Sequence, residues 1–159
     1  INIDYKDDAQ QIFLNGENVS DMIRTPEVSV GASDVAVITN VRLKLVELQR
    51  KLAETKNVIM DGRDIGTVVL PNSTVKIYLT ASAEDRAQRR YDELVLKGEN
   101  VTFKEVYDDM VKRDYNDMHR AIAPLKQAQD AVVADTTGFS PEQSLELLLK
   151  IVREGLENR

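Results

Sequence analysis

The run Val58-Ile59-Met60, stopped abruptly by Asp61-Gly62-Arg63-Asp64-Ile65-Gly66, constrains this chain more than any other stretch. It follows the segment Asn40 to Glu54, where Val41, Leu45, Leu48 and Leu52 recur at i, i+4, i+7 and i+11 and form one stripe of an amphipathic helix. A short apolar run after a helix, bounded by a turn, reads as a buried parallel strand. In open α/β sheets ligands sit in the crevice beyond the carboxyl ends of the strands, so this turn lies where a ligand would be held. Its residue types suit a phosphate. Asp61 can hold a magnesium water, Arg63 can fork a phosphate bidentately, and Gly62 and Gly66 permit close approach of backbone. A polar turn with Asp and Gly chosen for the backbone alone accounts for the same letters.

The remaining pattern predicts a small antiparallel element followed by α/β units. Residues 2–5 and 11–14 read as short strands, Asn15-Gly16 as a hairpin turn, and Val19 as the close of a third strand. The charged stretch from Asp4 to Asp8 reads as loop-like. Thr25-Pro26-Glu27 opens a helix with Thr as cap and Pro in the first turn. Val75 to Thr80 is a second parallel strand, and Ser82 with Asp85 opens a helix carrying Arg86, Arg89 and Arg90 that Gly98 stops. Thr102 and Glu105 form a capping box for a long helix ending near Arg120. Ala131 to Ala134 is a third buried strand ending in Asp135, and Ser140 opens a last helix with the stripe Leu145, Leu148, Leu149 and Val152. The sum is α/β with a parallel sheet, three strands being thin for four sizeable helices.

Composition removes whole classes of function. The 159 residues carry 21 Lys+Arg against 27 Asp+Glu, a net charge of −6, which opposes general affinity for nucleic acid. There is no cysteine and one histidine, so thiolate chemistry and Cys- or multi-His metal centres are excluded. With 42% hydrophobic and 30% charged residues and no apolar run near the ~18 residues of a membrane span, a soluble cytoplasmic protein is expected. Chemistry must then run on Asp, Arg, Lys and Ser. The chain opens on Ile1 with no signal-peptide pattern, which reads as a trimmed or partial chain.

The helix from Thr102 adds a second constellation. Its apolar stripe is Phe103, Val106, Tyr107 and Met110, and at 100° per residue Arg113, Asp117 and Arg120 fall within about 60° of one another at the edge of that stripe. This face points toward the sheet, so the trio reads as a site for a polyanion bearing hydroxyls, although i,i+4 Arg/Asp pairs commonly only support a helix. Arginines at 24, 42, 63, 86, 89, 90, 113 and 120 are numerous for an acidic chain, and phosphoryl transfer demands such positive charge. Some of Arg86, Arg89 and Arg90 read as solvated surface residues. His119 reads as a helix-end residue.

Three blocks together carry a resemblance. They are Ile23-Arg24-Thr25-Pro26-Glu27-Val28, then Met60 through Val69, and then Lys112-Arg113-Asp114 through Asp117 to Arg120-Ala121-Ile122-Ala123-Pro124-Leu125. In order and spacing the chain resembles the bacterial cytidylate kinases over essentially its whole length. The resemblance implies a P-loop nucleoside monophosphate kinase fold, with a small antiparallel nucleotide-binding insert, a helical lid, and transfer of phosphate from MgATP to CMP or dCMP. It implies divisions at 1–36 (insert), 37–81 (core), 82–118 (lid and following helix) and 119–159 (rest of the core). It assigns cytosine recognition to Ser33, Arg42 and Asp64, the ribose to Asp117 with Arg113, and the phosphates to Arg63 and Arg120. Asp61 falls near magnesium, and Arg89 and Arg90 on a mobile lid over ATP; no residue is assigned as a direct metal ligand.

One departure from the family is plain: no Gly-x-x-x-x-Gly-Lys-Ser/Thr occurs in these residues. The family opens with that phosphate loop, on a strand between those ending at Met60 and starting at Val75, so the sheet here is expected to be incomplete. The expectation is a kinase portion, inactive without that segment, which could be supplied as a separate piece; the whole enzyme is expected to be a monomer. The rivals are a module that binds CMP and transfers nothing, and a structural fragment with no ligand.

Overall fold

A computed structural model describes residues 1–6, 9–36 and 38–157, and the chain divides into two units, Ile1–Lys51 and Leu52–Arg159. In the first unit, β1 (Asn2–Lys6) pairs antiparallel with β2 (Ala9–Leu14), and β2 with β3 (Glu17–Asn18). The hairpin forms because Asn15 and Gly16 both take left-handed backbone, at φ 52° and 91°, which the twist of a tight two-residue turn requires. The Val19 N–H donates to the Ile12 carbonyl at 2.9 Å, extending the ladder one residue past β3. Asp4 to Lys6 belong to β1 rather than to a loop; Asp7 and Asp8 lie outside the described residues. After a 3-10 turn at Met22–Arg24 comes α1 (Pro26–Ala36), where the Val28 N–H donates to the Thr25 hydroxyl. α2 (Thr39–Thr55), whose last turn from Leu52 falls in the second unit, forms as its periodicity predicts, although Leu45 and Leu48 of its stripe are exposed.

The second unit holds one parallel pair, β4 (Ile77–Thr80) against β5 (Val132–Asp135), with Ile77 opposite Val132 and Thr80 opposite Asp135. The expected strand at Val58–Met60 is not formed. A strand exists only as part of a ladder, and no described strand pairs with these residues; Ile59 is fully exposed. The expectation that the strands are buried also fails for most positions. Leu79, Val132 and Val133 are exposed and only Ala134 is enclosed, because two strands leave their faces uncovered.

Three helices complete the unit, each with the start its sequence encodes. α3 (Ala83–Leu96) begins where the Ser82 hydroxyl accepts from the Asp85 N–H at 3.1 Å, and Gly98, at φ 79°, turns the chain after it. α4 (Phe103–His119) has the full capping box: Thr102 Oγ1 accepts from the Glu105 N–H, and Glu105 accepts from the Thr102 N–H. α5 (Pro141–Glu157) opens on a reciprocal pair between Ser140 and Gln143.

α4 lies against α3, not on the sheet as expected. The two form a helical hairpin in which the Tyr91 and Phe103 rings meet edge to face at 6.3 Å and Arg86 pairs with Asp114 at 2.7 Å. The apolar face of α4 finds its cover there, as the buried Val106 marks. The core of the unit is small, made of Val69, Ala81, Ala87, Val106, Ala134 and Ile151.

Candidate anion-binding site around Asp117

The turn after Met60 runs directly into a single π-helical turn at Ile65–Val69, where the Leu70 N–H reaches the Ile65 carbonyl at 2.7 Å. The Asp64 carbonyl caps that turn by accepting from the Val68 N–H at 2.8 Å, and Asp64 itself is buried, 8% exposed. The resulting short loop presents Arg63 on its surface. A Cβ at Gly62 would lie 3.1 Å from Ile65 Cγ1, so this glycine allows the tight packing of the turn. Gly66 has no such need, because a Cβ there would meet only ordinary contacts. Asp61 is exposed.

Arg63 Nε donates to Asp117 Oδ2 at 2.9 Å. Asp117 comes from the last turn of α4, and its other oxygen, Oδ1, lies 3.9 Å from Arg120 Nη1. Two arginines from separate segments thus converge on one carboxylate that is 17% exposed. Arg120 closes α4, its N–H donating to the Asn116 carbonyl at 3.0 Å and its Nε to the Ala123 carbonyl at 2.7 Å. The Leu125 N–H returns to the Asp117 carbonyl at 2.8 Å. Two guanidiniums around one carboxylate leave an excess positive charge and unused N–H donors, an arrangement suited to an anion with hydroxyls beside it.

Arg113 does not join this cluster. It lies exposed on α4, and among the described residues it has no ion pair or hydrogen bond. The inward-facing trio expected from helical spacing is thus a pair on α4, completed by Arg63. The helix turns its interior side to α3, and Arg113 falls outside that contact.

The two arginines that the resemblance places on a lid, Arg89 and Arg90, are engaged in ion pairs. Arg89 ion-pairs with Asp85 and donates to the carbonyls of Thr136 and Phe139, tying α3 to the loop after β5. Arg90 pairs with Glu93 at 2.7 Å, and the Lys97 ammonium and Arg90 hold the Glu93 carboxyl down at about 2. Arg86, read from the sequence as a solvated surface candidate, bridges the Ala81 carbonyl at 3.0 Å and Asp114. In the first unit, Arg42 lies in the first turn of α2, half-buried, and Ser33 lies in α1 with its side chain outside the described atoms. No group of three or more acidic or histidine side chains able to hold a metal occurs among the described residues. No described helix is long and apolar enough to cross a membrane.

The family model for cytidylate kinase matches residues 1–154. This chain belongs to the cytidylate kinase family. It is 51% identical over 158 residues to the cytidylate kinase of Caldicellulosiruptor bescii, a match covering 99% of this chain and 70% of that relative. The cytidylate kinase of Carboxydothermus hydrogenoformans is 49% identical over 146 residues, with 92% of this chain and 66% of the relative covered. That of Thermotoga neapolitana is 45% identical over 157 residues, with 99% and 70% covered. The chain thus spans about two thirds of the length of the curated cytidylate kinases it matches. The matched span contains every residue of the Asp117 cluster, and the α/β architecture with its parallel and small antiparallel sheets fits this family of P-loop nucleoside monophosphate kinases. Sequence reasoning missed two residues of the site region, Arg86 as a helix-bridging residue and Ala123 as a partner of Arg120. Both act across turns or helices, where local spacing carries no signal; the Ala123-Pro124 step was the available hint.

Proposed function

We propose that this protein serves transfer of the γ-phosphoryl group of MgATP to CMP or dCMP, giving CDP or dCDP. The observation that carries the reading is the convergence of Arg63 and Arg120 on Asp117 inside the matched motifs. Phosphoryl transfer is mostly positioning and charge neutralisation, so a preformed arginine pair beside a carboxylate supplies much of what the acceptor side needs. In this reading Arg63 and Arg120 hold the CMP phosphate, and Asp117 accepts from the ribose hydroxyls while keeping both arginines in register. Arg113 is free to swing to the ribose. Asp64, Arg42 and Ser33 read the cytosine: the carboxylate accepts from the amino group, and Arg and Ser donate to the acceptors. Arg89 and Arg90 lie on the α3 lid over ATP, and a rearrangement of their present ion pairs accompanies closure.

Magnesium enters with ATP. The ion retains several waters and needs only one or two protein carboxylates, a demand that the exposed Asp61 at the start of the turn fits. The functional division follows the boundaries 1–36, 37–81, 82–118 and 119–159, the protein is cytoplasmic, and the active form is a monomer. A polypeptide limited to these 159 residues holds no Gly-x-x-x-x-Gly-Lys-Ser/Thr, which favours a second reading for that piece alone, CMP binding without turnover.

The test is coupled-assay turnover of the intact protein with MgATP and either CMP, UMP or AMP, beside the same assay on the 159-residue polypeptide. Preference for CMP in the first and no turnover in the second is expected; equal rates with all three nucleotides would refute the base assignment. Asp64→Ala in the intact protein should weaken CMP more than AMP, and equal losses would move Asp64 from base recognition to the fold.

A further inference from the structure

We infer that Ala123 is a positioning residue for Arg120, acting through its backbone carbonyl; the inference rests on the phosphate role proposed above. Arg120 sits where α4 ends, and its guanidinium has five N–H donors in a rigid fork. One of them, Nε, is taken by the Ala123 carbonyl at 2.7 Å. Fixing Nε fixes the plane of the fork, so that Nη1 stands near Asp117 and the remaining terminal donors are presented together.

Ala123 achieves this in a conformation that an alanine disfavours. Its φ is 48°, in the left-handed region, and it precedes Pro124, whose ring further restricts the residue before it. The left-handed turn reverses the chain, and Leu125 then fastens the loop by donating its N–H to the Asp117 carbonyl at 2.8 Å. Pro124 has no N–H to compete for that acceptor. The five residues 121–125 are therefore pinned at Asp117 and at Arg120, the same two residues that form the anion cluster. Strain of this kind persists where the surroundings over-determine it, and here it holds an arginine in place. A glycine would adopt the same turn without steric cost but would leave it free to open.

The experiment uses the intact protein in three forms: wild type, Ala123→Gly and Ala123→Asn, the last because asparagine tolerates left-handed backbone. Hydrogen exchange of the Arg120 side-chain Nε–H is followed by NMR against that of exposed Arg113, and CMP and cytidine are titrated calorimetrically. Expected are Nε–H exchange at least tenfold slower for Arg120 than for Arg113 in wild type, and acceleration in Ala123→Gly. That variant should also bind CMP about tenfold more weakly, the loss of one charge-assisted contact, with cytidine unchanged. Ala123→Asn should retain both properties. Arg120 exchanging as fast as Arg113 overturns the proposal, as does a Gly variant that loses CMP and cytidine equally or loses neither. A wild-type protein that binds CMP no better than cytidine would refute the phosphate reading, while the exchange rates still decide whether the carbonyl holds Arg120.

Discussion

Arg63 and Asp117, 54 residues apart in the chain, meet at 2.9 Å, and this contact joins the turn after Met60 to the end of α4. Arg63 is about half exposed whereas Asp117 is largely enclosed, so the pair lies between a surface ion pair and a buried one. A double-mutant cycle with Arg63→Ala and Asp117→Ala should give a coupling energy of about 0.5–1 kcal/mol in urea unfolding, in the upper range for exposed pairs. Zero coupling would mean that the two side chains are independent in solution.

Arg113 gives the opposite expectation. Being exposed and unengaged, its replacement by alanine should change stability by no more than about 0.5 kcal/mol, while CMP affinity falls if it reaches the ribose. Denaturant midpoints and calorimetry on one preparation separate the two effects. A stability loss above 1.5 kcal/mol would restore the inward-facing arrangement that helical spacing predicts.

Gly155 packs against the strand region from α5. A Cβ there would approach Val75 Cγ2 to 2.7 Å, closer than side chains tolerate, and Val75 is stiff at χ1. Gly155→Ala should therefore destabilise by about 1–3 kcal/mol despite the better helix propensity of alanine. An unchanged thermal midpoint would show that α5 can shift away at no cost.

Glu93 supplies the pH prediction. Its carboxyl is held at about 2, first by the hydrogen bond from Lys97 and then by that from Arg90. A folded pKa below the unfolded one means the pair's contribution is present above about 4.5 and is lost as pH falls through about 2. Carbon-detected titration should place the midpoint near 2 in wild type, and Lys97→Met should raise it toward 4.5. A wild-type midpoint already near 4.5 would show the contacts to be transient.

What could be read from the sequence is what local chemistry decides. The Asn15-Gly16 turn, the Thr102/Glu105 capping box, the Ser82 cap and the stop at Gly98 each depend on residues within a turn of one another, and each is present. The parallel strands at 75–80 and 131–134 were also legible, with shorter or shifted bounds. Val58-Ile59-Met60 was not, because its strand propensity has no expression without a neighbour to bond. For α4, periodicity says which side is apolar but not what covers it, and α3 rather than the sheet does so. Within the Asp117 cluster, spacing supplied Asp117 and Arg120, while the arrival of Arg63 is a tertiary fact.

The parallel pairing of β4 with β5 sets the order in which this unit assembles. Ile77 finds Val132 only after the intervening chain has closed a long loop, and the α3–α4 hairpin occupies most of that loop. Contacts within the hairpin are local and can form first, which shortens the effective distance the strands must search. The hairpin is then expected to fold early and the sheet late. Substitutions at the Arg86–Asp114 bridge should slow refolding, whereas those along Val132–Asp135 should chiefly hasten unfolding.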